Sequence, residues 1–123
     1  MYSDTVKDHA TSPRNKREMA APDAKGESKY PRCGDKLKLF LRLNDETIQE
    51  ASFTASACGP VIAAASLVTT LLTGRTVDQA RQLGVFELDK ALGGLPVSKR
   101  HAILMVLECL HEALEHLPKP KPK

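Results

Sequence analysis

The stretch "GPVIAAASLVTTLLTG", residues 59 to 74, constrains the fold more than any other part of the chain. Pro60 stands at a helix-start position and Gly74 at a helix-end position, and nearly every residue between them is apolar or small. A helix that is apolar almost all the way round has to be buried. It does not span a bilayer, because no apolar run in the chain reaches the roughly 18 residues that spanning requires.

Ahead of this helix the period is different. Leu37, Leu39, Leu41 and Leu43 alternate with Lys36, Lys38, Phe40 and Arg42, which predicts a strand with one face on the core. "NDE" at 44 to 46 is turn chemistry, and Ala51, Phe53 and Ala55 give a second alternating strand, so a β-hairpin is expected. Downstream, "TVDQ" at 76 to 79 is a capping box for a short amphipathic helix. A further short helix covers roughly Phe86 to Leu92 and is broken by Gly93-Gly94. The last helix begins near Ser98 and carries Ile103, Val106 or Leu107, Leu110, Leu114 and Leu117 at helical spacing until Pro118 ends it.

At the other end, Ser3 caps a short helix running to about His9, and Pro13 stops it. Residues 14 to 32, "RNKREMAAPDAKGESKYPR", have no apolar period and read mostly as loop, with a short edge strand near Tyr30. A hairpin followed by helices predicts an α+β domain over residues 1–117, with a small antiparallel β-sheet of about three strands and helices packed on one face. Its N-terminal helix is short and its C-terminal helix long. The "PKPKPK" tail, 118–123, is expected to be disordered.

Charge and cysteine usage exclude several functions. The formal charge of +3 is accounted for by Lys119, Lys121 and Lys123, and the five aromatics are scattered, so the folded part carries no basic, aromatic-interleaved face for nucleic acid. "MYSDTVKDHA" has no signal-peptide core, which predicts a cytoplasmic protein without a membrane partner. Three cysteines at spacings of 25 and 51, with no C-x-x-C pair, do not form a disulfide framework. Reduced thiols fit metal binding, sulfur chemistry or core packing.

Chemistry-bearing residues recur where elements change. Cys33 and Asp35 precede the first hairpin strand, Cys58 lies between the second strand and the buried helix, and His101 falls in the first turn of the last helix. A helix N-terminus lowers a thiol's pKa and favours anionic ligands, so Cys58 is expected to benefit. If these starts meet at one end of the molecule, two thiolates, a carboxylate and an imidazole become available. That set suits iron-sulfur chemistry or tetrahedral zinc. Cys109, seven residues past Ala102, lies two helical turns away, about 11 Å of rise, and reads as a packed thiol. His9, His111 and His116 have no partners at ligand spacing and read as surface.

Several separated motifs resemble the IscU/NifU-type iron-sulfur cluster assembly scaffold family. "YSDTVKDH" followed by "PRN" is similar to the family's N-terminal helix and its Pro-Arg-Asn. Cys33-Gly34-Asp35 matches its Cys-Gly-Asp, Cys58-Gly59 its second cysteine motif, "IAAASLVT" the helix that follows, and Lys99 with His101 the Lys-x-His of the final motif. The resemblance implies an α+β fold and a non-enzymatic scaffold or carrier. Such a protein binds iron and a labile 2Fe-2S cluster, takes sulfur from a cysteine desulfurase and serves apo iron-sulfur acceptor proteins. It makes Cys33, Asp35, Cys58 and His101 the ligands and leaves Lys99 either a solvated charge or an assistant in sulfur transfer. Three single positions depart from the pattern: Ala102 stands where the family has a third cysteine, Pro60 where serine is common and Ala57 where glycine is common. "LPVSK", 95 to 99, replaces the Leu-Pro-Pro-Val-Lys of members served by an Hsp70-type chaperone, so that partner is not implied. The alternative is a zinc-binding relative that docks on a cysteine desulfurase as regulator or sulfur acceptor. A Cys58-His101 nucleophilic enzyme has least support, for lack of an oxyanion loop.

Overall fold

The computed structural model describes residues 2–30 and 34–117. Helix α1 (Asp4–Thr11) is followed by strands β1 (Ala24–Tyr30), β2 (Asp35–Asn44) and β3 (Thr47–Ser56). Helices α2 (Gly59–Leu72), α3 (Val77–Arg81) and α4 (Val85–Leu92) come next, and a 3-10 turn (Val97–Lys99) leads into α5 (His101–Glu115). The strands form one antiparallel sheet in the order β1-β2-β3. The fold is α+β, as the change of period predicts.

Local chemistry sets most of these boundaries. Ser3 Oγ accepts from the Val6 amide at 3.1 Å and caps α1, which runs two residues past the expected end. Thr76 and Gln79 form the capping box of α3. Gly93 closes α4 at φ 78°, a left-handed conformation that glycine adopts without penalty. Helix α5 begins three residues later than the spacing predicts, because Val97–Lys99 takes the tighter 3-10 form, so His101 is the first residue of the helix.

In the hairpin, Leu37, Leu39 and Leu41 pair with Ala55, Phe53 and Ala51. All three leucines and Phe53 are buried, together with Val61, Val68 and Leu72 of α2 and Ile103, Val106 and Leu110 of α5. Helix α5 lies against β1 and β2, α2 against β3 and α5, and α1 against α2. The opposite face of the sheet carries exposed Lys25, Lys36 and Lys38, but Phe40 and Ser52 are buried there, as is Met19. Residues 15 to 20 run back past this face and the β3 edge. Asn15 O accepts from the Phe53 amide at 2.9 Å, Lys16 bridges Phe53, and Arg42 donates to Ala20 O at 2.7 Å.

One reading of the sequence is extended and one corrected. The edge strand expected near Tyr30 is longer than the sequence indicates, because β1 pairs with β2 along its whole length from Ala24 to Tyr30. Its core-facing residues are Ala24, Gly26 and Ser28, which carry no apolar period. They are small because α5 comes too close for anything larger: a Cβ on Gly26 would lie 1.9 Å from the Cys109 carbonyl oxygen. His9 is not a surface residue. It is buried, and its Nδ1 lies 2.7 Å from Ser66 Oγ on α2, which also accepts from the Arg14 amide at 2.8 Å. Burial lowers the His9 pKa, the Arg14 charge lowers it further, and Asp8 opposes both. His111 and His116 are exposed as expected, and Cys109 is the packed thiol expected, fully buried with Sγ 3.4 Å from Leu37 O. The tail 118–123 and Cys33 lie outside the described residues.

Candidate metal centre

Asp35 opens β2 directly opposite Tyr30, the last residue of β1. Its alternation with Lys36 and Leu37 turns it toward the helices, where it is buried. Cys58 is the N-cap residue of α2. Its backbone is extended (φ −69°, ψ 164°), and its carbonyl accepts from the amides of Val61 and Ile62, each at 3.1 Å. The capping work is thus done by backbone, and the thiol makes no cap hydrogen bond. His101 starts α5. One ligand atom from each of Asp35, Cys58 and His101 lies within 4.8 Å of the others. The three element starts named by the sequence converge at one end of the sheet.

The carboxylate has two roles. Oδ1 accepts from the Cys58 amide at 3.2 Å, which ties the start of β2 to the start of α2. Oδ2 faces His101 Nε2 at 3.6 Å, too far for a hydrogen bond, and both atoms are buried without a hydrogen-bond partner among the described residues. Orphaned buried polar atoms are rare and costly. The gap matches a bridging ion: oxygen and nitrogen ligands at zinc-like bond lengths and a tetrahedral angle stand about 3.4 Å apart. The carboxylate and the imidazole therefore stand at the separation of two ligands on one small cation, with the Cys58 thiol beside them.

The thiol departs from expectation. Burial raises the Cys58 pKa; the Val61 amide pulls it down, Asp35 raises it through charge and hydrogen bonding, and the Lys99 ammonium lowers it. Desolvation and the adjacent carboxylate outweigh the helix start. In the metal-free protein Cys58 is held as a thiol, and a cation that binds there must release its proton. Lys99, the last residue of the 3-10 turn, is close enough to act on Cys58 through its charge. Ala102, where the resemblance has cysteine, is fully buried in the core beside His101. Val97 and Leu104, on either side of His101 in the chain, are 83% and 56% exposed.

Tyr30 is the residue that sequence reasoning missed. Its ring meets the His101 imidazole edge-on, with centroids 4.3 Å apart and planes at 65°. The pairing of Tyr30 with Asp35 is what brings it there, and a strand hidden in a polar segment left no periodic signal for it.

The arrangement joins a known family. The model of the NifU-like N-terminal domain matches residues 1–122. The chain belongs to this family. Among its relatives, the iron-sulfur cluster assembly scaffold protein IscU 1 of Archaeoglobus fulgidus is 32% identical over 114 residues, covering 93% of this chain and 74% of the relative. The iron-sulfur cluster assembly scaffold protein IscU of Aquifex aeolicus is 32% identical over 116 residues, again 93% and 74%. In three dimensions this NifU-like chain is similar to a putative scaffold protein for the SUF system from Fervidobacterium islandicum. That likeness has a TM-score of 0.71 at 18% identity and covers 92% of this chain and 96% of the other. At that identity the likeness speaks for the fold. Among the described residues no helix is long and apolar enough to cross a membrane.

Proposed function

We propose that the chain is an iron-sulfur cluster assembly scaffold, a carrier and not an enzyme. It holds iron and a labile 2Fe-2S cluster as cargo through Cys33, Asp35, Cys58 and His101, and passes that cargo to apo-proteins. Sulfur comes from a cysteine desulfurase, with Lys99 assisting its arrival at Cys58. The observation that carries this reading is the pair of buried atoms, Asp35 Oδ2 and His101 Nε2, 3.6 Å apart beside the Cys58 thiol and without a hydrogen-bond partner among the described residues. The relatives named as cluster assembly scaffolds support the same reading. A mixed set of thiolate, carboxylate and imidazole binds less tightly than an all-thiolate one, which suits a protein that must release what it holds.

A second reading has one observation in its favour. Three donor atoms within 4.8 Å of one another have the spacing of ligands on a single ion, and two thiolates, a carboxylate and an imidazole suit tetrahedral zinc. The chain would then regulate a cysteine desulfurase or accept its sulfur without building clusters. One experiment separates the two: anaerobic incubation with ferrous iron, cysteine, a thiol reductant and a cysteine desulfurase. A scaffold turns red-brown and transfers the colour to an apo-ferredoxin. A zinc protein stays colourless and releases stoichiometric zinc on acidification, and that result would overturn the scaffold reading.

A further inference from the structure

We propose that Tyr30 is a positioning residue, whose ring fixes the His101 imidazole in the orientation that binds metal. The proposal rests on the metal-binding reading of the site and adds to it a residue outside the ligand set. His101 is the first residue of α5, just after the 3-10 turn. Its χ2 torsion is of the sp³–sp² type, with a broad well that leaves the ring free to tilt. Nε2 has no hydrogen-bond partner among the described residues, and the Asp35 oxygen 3.6 Å away is too distant to anchor it. A ligating imidazole is ordinarily oriented by a hydrogen bond from its second nitrogen to a carboxylate or carbonyl. Here the ring of Tyr30, at 4.3 Å and 65°, supplies the restraint.

The geometry of the sheet makes the restraint specific. Tyr30 and Asp35 are a directly opposed cross-strand pair, so their Cβ atoms stand about 5 Å apart on one face. From that face the carboxylate meets Nε2 and the aromatic ring meets the plane of the imidazole. One side chain supplies the neighbouring ligand and the other sets the tilt that points Nε2 toward it. The phenol hydroxyl takes no part in this, so phenylalanine should serve equally well.

Co²⁺ is the probe, titrated into the reduced full-length chain without oxygen. Five proteins are compared: wild type, Tyr30→Leu, Tyr30→Phe, Tyr30→Leu combined with His101→Ala, and His101→Ala alone as the reference for the double variant. Leucine keeps an apolar strand residue in place and removes only the aromatic ring. Loss of an orienting neighbour typically costs 10- to 100-fold in metal affinity, so Tyr30→Leu should bind Co²⁺ about tenfold more weakly. Its ligand-field bands should lose the intensity of a tetrahedral centre, and Tyr30→Phe should match wild type in both. In the His101→Ala background the leucine substitution should add nothing, since its effect passes through the imidazole. In the metal-free protein the His101 ring protons should show a ring-current shift that Tyr30→Leu abolishes and Tyr30→Phe keeps. Wild-type affinity and spectrum in Tyr30→Leu would overturn the proposal, as would an undiminished loss in the His101→Ala background. A wild-type protein that takes up no Co²⁺ would overturn the metal-site reading itself, and this proposal with it.

Discussion

Gly26→Ala should be among the most destabilising single-methyl additions this chain can suffer. The glycine is buried in the middle of β1, paired with Leu39, and its backbone touches the backbone of α5. An added Cβ would stand 1.9 Å from the Cys109 carbonyl oxygen and 2.9 Å from both the Cys109 carbonyl carbon and the Ala113 nitrogen. Carbon-oxygen contacts between packed backbones close in only to about 3.3 Å, so helix and strand must separate by roughly 1.4 Å. No side chain can rotate out of the way. Overpacking by one methylene costs about 1 to 3 kcal/mol, and this rigid case belongs at the upper end. Lower entropy of the unfolded alanine chain returns about 0.4 to 1 kcal/mol, leaving a net loss of about 2 kcal/mol. Urea denaturation followed by circular dichroism should show the midpoint falling at unchanged slope, and Co²⁺ affinity should fall as well because α5 carries His101. Gly84→Ala is the control, since a Cβ there would meet nothing within 4 Å. A loss under about 0.5 kcal/mol for Gly26→Ala, within the range of ordinary surface changes, would refute the close approach of β1 and α5.

Asp35→Ala should slow cluster release more than cluster formation, because a carboxylate is a harder and more exchangeable ligand than thiolate; loss of all cluster binding would show that Asp35 is more than a tuning ligand. Cys109→Ser should lower stability by about 1 to 3 kcal/mol, since the smaller hydroxyl loses packing and, on a shorter bond, reaches the Leu37 carbonyl less well, while the metal content of the purified protein stays unchanged. Ala102→Cys should retain the cluster longer and take up more persulfide from a desulfurase, as read by the decay of the cluster chromophore and by mass; a variant that gains neither would show that position 102 does not serve the site. His9 has a folded-state pKa below its unfolded value, so its contribution to stability is complete above about pH 6.5. Below that pH the unfolded chain takes up a proton that the folded chain refuses. Melting temperatures of the metal-free protein should therefore fall between pH 7.5 and 5.5 by more in wild type than in His9→Gln, and equal falls would refute this.

Legibility from sequence followed the strength of local pattern. Strands β2 and β3 were readable because leucine, alanine and phenylalanine alternate on one face, and α2 because its apolar run sits between a proline and a glycine. The same logic gave only the end of β1 near Tyr30, because along the rest of the strand the requirement is for small side chains under a close helix. Ala24, Gly26 and Ser28 satisfy that requirement without any hydrophobic signature. It failed at His9, whose partner Ser66 is 57 residues away. Asp35, Cys58 and His101 could be picked out as element starts, but only the resemblance gave a reason to expect them together. Tyr30 is absent from both kinds of signal, since neither periodicity nor a motif marks a ring that acts by touching another ring. The thiol's raised pKa was equally hidden, because the helix start is visible in sequence and the depth of burial is not.

The three described donors are widely separated in the chain, at positions 35, 58 and 101, and each begins a different element. Whatever binds among them ties the hairpin, the buried helix and the last helix together at a single point. On the scaffold reading the cargo is also a fastening: held at a hundredfold excess over its dissociation constant, it would add about 2.7 kcal/mol to the stability of the folded state. Such coupling is reciprocal. On the same reading, drawing the first turn of α5 away from the sheet would weaken the hold on the cargo without attacking a single metal bond. Unloading becomes a question of leverage on one helix end, and the chain most firmly folded is the one with its load aboard.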